Sequence, residues 1–170
     1  MSVPRDFKTS TPIYLDFLHY KAHQGHLFRI DMIATNTADS ATAEMLIDPG
    51  SKETHINFIV GVPGDAQAEL LFNVSVTANG ASLTAFRHYN ESDGSVNTTT
   101  VQFYQGPTGA TGTVMARQFI NGGSFPKQFG GGGAHENEFI LEGGLFLVRV
   151  HNLSGAVGTI GLTGELYELD

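Results

Sequence analysis

The chain contains no cysteine and no tryptophan. Without cysteine there can be no disulfide framework, cysteine-ligated zinc, iron–sulfur cluster or thiol chemistry. Without tryptophan, a sugar-stacking platform would have to be built from tyrosine or phenylalanine. Charge is scarce: 15% of residues are charged, against a usual ~25%. Positive charge is scarcer still, with 9 Lys+Arg against 17 Asp+Glu and a net charge of −8. A nucleic-acid backbone repels such a surface, and the clustered Lys/Arg that phosphate binding requires are missing. No apolar run approaches the ~20 residues that span a bilayer; the longest are short pieces such as Gly144-Leu145-Phe146-Leu147-Val148. The opening Met1-Ser2-Val3-Pro4-Arg5-Asp6-Phe7-Lys8 has no apolar h-region, so no secretory signal is expected. The sequons at Asn73, Asn90, Asn97 and Asn152 then read as chance in a chain rich in Asn, Ser and Thr.

What is present is glycine, 21 of 170 residues, and phenylalanine, 12. A chain of this length forms one domain, or one domain with an arm, and buries roughly 70% of its unfolded surface without staples. Apolar residues recur with period 2. Phe28, Ile30, Met32 and Ala34 share one face, and Ile56, Phe58 and Val60 repeat the pattern. So do Phe72, Val74 and Val76, then Phe146, Val148 and Val150, then Ile160, Leu162 and Leu166. Such runs are half-buried antiparallel strands. The breaks between them carry turn chemistry at Asp48-Pro49-Gly50-Ser51, Val62-Pro63-Gly64-Asp65, Ser92-Asp93-Gly94-Ser95 and Leu153-Ser154-Gly155. Asn79-Gly80 predicts a tight hairpin with positive φ at both residues, and Glu142-Gly143-Gly144 suits another. Gln105 to Gly112 reads as a long hairpin loop joining Thr99–Gln105 to Thr113–Ile120. Ala38 to Met45 has room for one helical turn. The sum is an all-β antiparallel sandwich, jelly-roll-like, with about nine or ten strands.

Two segments depart from this pattern. Residues 1–22 form an N-terminal arm or edge strand, apart from a sandwich domain at 23–170. Within that arm, Ile13-Tyr14-Leu15-Asp16-Phe17-Leu18-His19-Tyr20 is bulky on both faces, as a water-exposed edge should not be. It is either a strand buried between sheets or an edge that docks on a neighbouring subunit through Tyr14, Phe17 and Tyr20. The second segment, Asn121 to Ala134, sets Phe125 and Phe129 among glycines, four of them consecutive at 130–133. Those two phenylalanines either tuck beneath the loop as a satellite core or plug a partner surface.

The sequence carries no GxSxG elbow, phosphate-binding GxxxxGK[ST], dinucleotide fingerprint or HExxH. Gly130–Gly133 is followed by His135-Glu136, an acid where an anion would sit. The seven histidines hold no His-x-His pair, and His23 and His26 are spaced for a helix rather than a strand. Glu91-Ser92-Asp93-Gly94-Ser95 reads as an ordinary turn rather than a calcium loop. No catalytic residue, cofactor or metal is expected, and the chain is expected not to be an enzyme.

Three stretches are similar to a known group. His23-Gln24-Gly25-His26-Leu27-Phe28 opens an alternating strand, Tyr104-Gln105-Gly106-Pro107-Thr108 follows later, and Asn137 to Gly155 is the longest. In that run Glu138, Ile140, Leu141, Gly144, Arg149, Asn152, Ser154 and Gly155 stand out. With them the chain, over roughly Ala22 to Asp170, resembles the tailed-bacteriophage capsid decoration, or cement, proteins. The resemblance implies a jelly-roll domain that forms a homotrimer on the outer surface of the head. It implies that the domain binds the major capsid protein at three-fold positions, is soluble in the host cytoplasm before assembly and uses no catalytic residue. Neither nucleic acid nor membrane is an expected partner. The alternative is a carbohydrate- or receptor-binding β-sandwich module of a head fibre or tail, which would show a groove lined by exposed tyrosine.

Overall fold

The structure is a computed structural model, and it describes residues 27–87, 99–122, 126–129 and 138–169. Twelve strands are found among them: β1 Leu27–Thr37, β2 Thr42–Asp48, β3 Glu53–Gly61, β4 Ala66–Ser75, β5 Ala81–Leu83, β6 Phe86–Arg87, β7 Gln102–Gln105, β8 Thr111–Ile120, β9 Lys127–Phe129, β10 Phe139–Leu141, β11 Phe146–Asn152 and β12 Gly158–Leu169. The count exceeds the nine or ten expected because β5, β6 and β9 span three, two and three residues, too few to display a period. No described residue is helical. The expected turn at Ala38–Met45 instead lies in β2 and the bend before it, where Ser40 takes φ 63°. No helix of the described residues is long and apolar enough to cross a membrane.

All pairings are antiparallel. One sheet runs β10-β3-β12-β1-β6, with β9 also on β3; the other runs β5-β7-β2-β11-β4-β8. Every step from β1 to β4 changes sheet, and so does β11 to β12. Stripped of β5–β7, the orders β1-β12-β3-β10 and β2-β11-β4-β8 are those of a jelly roll. The alternating runs produce this directly. Phe28, Ile30, Met32, Ile56, Phe58, Val60, Leu162 and Leu166 face inward from one sheet; Met45, Ile47, Leu70, Val148 and Val150 face them from the other. Full burial of each such side chain is worth about 1.5–3 kcal/mol. Gly164 takes an inward position because a Cβ there would lie 2.9 Å from Ile30 Cγ2 and 3.2 Å from Ile56 Cδ1.

Three expected hairpins are crossings instead. β4 and β5 lie at separate places in one sheet, so Asn79-Gly80 does not join paired neighbours. Only Gly80 has positive φ, at 94°, and a Cβ there would meet Gln105 O at 2.3 Å. Glu142-Gly143-Gly144 passes from β10 in one sheet to β11 in the other. β7 and β8 are not paired either, so residues 105–110 cross the outer face of the second sheet. They are held there by Thr77 N to Thr108 O at 2.8 Å, Thr108 N to Ala78 O at 2.9 Å and Gly106 N to Glu44 O at 3.0 Å. A second apolar cluster of Leu46, Leu71, Val74 and Leu147 lies on that face, with Tyr104, Ala110, Val76 and Leu145 packed against it. The expected alternation of Phe72 with Val74 is broken for this reason. Asn73 at φ 52° leaves Phe72 against the main core and delivers Val74 to the outer cluster.

Candidate functional site

A pocket with converging polar groups is the first thing to seek in a binding domain or enzyme. A depression of about 390 Å³ lies beside β5 and β7, lined by Ser82, Leu83, Thr84, Val101, Gln102 and Phe103 among others. Among the described residues that line it, the phenol of Tyr104 is the one ionisable side chain. Among the described residues no group of three or more His, Asp or Glu is arranged to hold a metal ion.

Among the described residues, beside the Arg29–Asp31 pair, two larger clusters of ionisable side chains lie on the outer sheet faces. On the first sheet, register sets His55 beside Tyr167 and Ile140. The His55 ring stacks on Tyr167 at 4.7 Å between centroids. Its Nε2 lies 2.8 Å from Glu53 Oε1 and its Nδ1 3.1 Å from Glu138 Oε2. The Tyr167 hydroxyl donates to the same Glu138 oxygen at 2.6 Å. Burial first, then that hydrogen bond and the charge of Glu138, push the phenol well above its ordinary range. Glu138 thus fastens the start of β10 to β3 and β12. This role was hidden in the sequence, because 83 positions separate it from His55.

On the second sheet one row of side chains crosses four strands. Glu44 of β2, Arg149 of β11, Glu69 of β4 and Arg117 of β8 stand in register. Arg149 Nε donates to Glu44 at 2.5 Å, and Arg117 Nε to Glu69 at 2.7 Å. His151 Nε2 lies 3.2 Å from the other Glu69 oxygen. Burial alone would raise the Glu69 carboxyl; the hydrogen bonds and charges of His151 and Arg117 outweigh it and hold the group below its ordinary value. The alternating signs and short contacts read as cross-strand stabilisation.

The motif residues that carry the phage resemblance can now be placed. Asn152 is buried; its Nδ2 donates to Thr37 O, Ala38 O and Ala156 O, and its Oδ1 accepts from Ser154 N. That amide is fully engaged inside the fold, which removes it as a glycan acceptor. Arg149, Glu138 and Gly155 likewise serve pairing and turns. Within the chain, these residues hold the pairings and turns of the jelly roll.

Of the residues expected at a partner contact, Tyr14, Phe17, Tyr20 and Phe125 lie outside the described residues. Phe129 is corrected by the structure: it is 1% exposed, on β9, with ring centroids 6.3 Å from Phe58 and 5.4 Å from Phe139. Strand pairing opposite Phe58 turns it into the core, so its ring belongs to this chain's interior.

Apolar exposure lies elsewhere. β8 is an edge of the second sheet and pairs with β4 alone among the described strands. On it Val114 is 40% exposed, Met115 50% and Phe119 68%. It spans ten residues with no Pro and no Lys; its guards are the charge of Arg117 and two register irregularities in its pairing with β4, between Ala116 and Val114 and between Thr113 and Thr111. The end strands β5, β6, β9 and β10 have three residues or fewer, and β6 pairs only with Phe28 and Arg29, so the rest of β1, with Ile33 63% exposed, is a second long edge among the described strands. Parity alone could have flagged Met115, Arg117 and Phe119 as one face; it is the register break between Ala116 and Val114 that sets Val114 opposite the outward Leu71, and that β8 ends a sheet is a property of topology. No protein-family model, no curated protein and no solved structure matches the chain.

Proposed function

We propose that this chain is a structural virion protein, a capsid decoration protein. It binds the outer surface of a phage head as a homotrimer at three-fold positions and holds neighbouring major capsid subunits together. It is not an enzyme in this reading. The observation that supports it best is the apolar edge strand β8, bearing exposed Val114, Met115 and Phe119 on a jelly roll whose two clusters of ionisable groups are engaged in cross-strand contacts. Lattice binding through repeated small contacts needs such surfaces and no deep pocket. The resemblance of Asn137 to Gly155 to the cement proteins, and a net charge of −8 that suits a place away from packaged DNA, point the same way.

The alternative, a carbohydrate- or receptor-binding module, calls for exposed tyrosine along a groove. Of the described tyrosines, Tyr167 is buried, and Tyr104 is half-buried with its hydroxyl donating to Gln102. Neither favours that use. The test is sedimentation of the purified protein with undecorated heads of the phage that encodes it. Saturable co-sedimentation at three copies per three-fold position is the expected result. Absence of binding at micromolar protein would overturn the proposal.

A further inference from the structure

Asparagine is followed by glycine twice in the chain, at Asn79-Gly80 and at Asn121-Gly122. A glycine there offers its amide nitrogen to the preceding side chain with no Cβ in the way. We infer that Asn79 is a site of spontaneous covalent modification, its side-chain amide converting to aspartate and isoaspartate through a cyclic imide, and that the fold protects Asn121 from the same reaction. The inference goes beyond the capsid reading and stands without it.

The Gly80 nitrogen gives its proton to solvent and attacks Cγ of Asn79. A new N–C bond closes the ring as the Cγ–Nδ2 bond breaks, and ammonia leaves with a proton from solvent. Water then opens the ring at either carbonyl. One opening restores the backbone as aspartate, and the other routes it through Cγ as isoaspartate. One water enters and one ammonia leaves, with no change of oxidation state. Each conversion adds one negative charge to the net −8. Isoaspartate also adds a carbon to the backbone between residues 78 and 81.

The structure separates the two sites. Asn79 and Gly80 are exposed. They lie between two fixed points: the bridge of Ala78 to Thr108, and the pairing of Ala81 with Gln105. Among the described residues none accepts a hydrogen bond from Gly80 N, so the attacking nitrogen faces water. The fold also keeps glycine at this place. Gly80 takes φ 94°, and a Cβ would lie 2.3 Å from Gln105 O and 2.8 Å from Gly106 C. A bulkier residue that would shield the nitrogen does not fit. Gly122 is held to glycine as well, since a Cβ would lie 2.6 Å from Gly64 Cα. Its nitrogen, however, donates to Asp65 Oδ1 at 2.9 Å. Asp65 is itself tied down, its carbonyl accepting from Leu153 N at 2.9 Å. The Gly122 nitrogen must break that charge-assisted bond before it can attack. Losing its proton would also set a developing negative charge against a carboxylate.

The full chain is incubated at pH 8 and 37 °C, folded and in concentrated urea, then digested with trypsin. Cleavage after Lys52, Arg87, Arg117 and Lys127 puts each Asn-Gly in its own peptide, residues 53–87 and 118–127. Mass spectrometry reads the exchange of NH for O, and chromatography separates isoaspartate from aspartate. In urea both sites are expected to convert at similar rates, because the fold no longer distinguishes them. In the folded chain Asn79 is expected to convert at least about tenfold faster than Asn121, the ratio that one charge-assisted hydrogen bond on the attacking nitrogen supplies. Asp65→Ala is expected to bring Asn121 up toward its rate in urea and to leave Asn79 unchanged. Equal rates at the two sites of the folded chain, or an Asn79 that stays intact, would overturn the inference. Aspartate at 79 without isoaspartate would do so too, because direct hydrolysis forms no ring. An Asn121 that stays slow in a folded Asp65→Ala chain would refute the protection by Asp65. Should that variant fail to melt cooperatively, the comparison of folded and urea-treated native chain still decides.

Discussion

Glu69 shows how single side chains set the acid response of this domain. It is 5% exposed, and its two oxygens meet Arg117 and His151. Its folded pKa lies below the reference value of 4.5. The sign follows by linkage: a depressed carboxylate contributes stability above its unfolded pKa and loses it as pH falls through the folded one. Glu69→Gln is expected to cost about 1–3 kcal/mol at pH 7. The difference from the unmodified chain should shrink as pH falls through the lowered folded pKa of Glu69, toward the point where both carry a neutral group. Urea unfolding at pH 7, 5 and 3 checks this; a cost that stays constant with pH would mean packing, not charge, is what Glu69 supplies. Asp31 behaves alike on the opposite sheet. Burial raises it, but hydrogen bonds from Arg29 and Thr163 and the charge of Arg29 hold it low. Its exposure makes the consequence small.

At the scale of elements, the Asn152 side chain ties together two connections whose flanking strands pair at Thr37↔Gly158 and Thr42↔His151. Its amide bridges the β1–β2 turn at Thr37 and Ala38 to the β11–β12 turn at Ser154 and Ala156. Asn152→Ala should lower stability by about 2–4 kcal/mol, because buried carbonyls and an amide lose their partners together. Asn152→Asp should be worse at pH 7, since a carboxylate would face three carbonyl oxygens. Its carboxyl would be held neutral, with a raised folded pKa, so the penalty grows as pH rises past about 4. Thermal melts of both variants at pH 4 and pH 7 measure that inversion. Asn152 also marks what the sequence discloses. The strands around Phe28, Ile56, Phe146 and Ile160 could be read from alternation alone, because a two-residue period survives wherever one face meets a core. The jelly-roll class followed. The connections did not, because Asn79-Gly80 and Glu142-Gly143-Gly144 have the same local chemistry whether the next strand pairs or crosses. Phe125 and Phe129 looked alike in a glycine-rich stretch, and only pairing with β3 decides that Phe129 is core. The β8 edge was illegible for the same reason: edges belong to the sheet, not to the strand.

At the scale of the whole molecule, the first and last described strands are partners. β1 and β12 pair from Leu27↔Tyr167 onward, and β12 sits between β1 and β3 in the middle of its sheet. Removing residues 158–170 would open that sheet along its length and expose Ile30, Ile56 and Phe58 together. Such a chain is expected to be unfolded, with no cooperative transition and no slowly exchanging amides. Removing residues 1–22 is a different operation, since the described core residues all lie at 28 onward. That shortened chain is expected to keep a single cooperative melt while running at monomer mass. The contrast separates folding from assembly. If loss of residues 1–22 abolished the cooperative melt, the N-terminal segment would be part of the core rather than an arm.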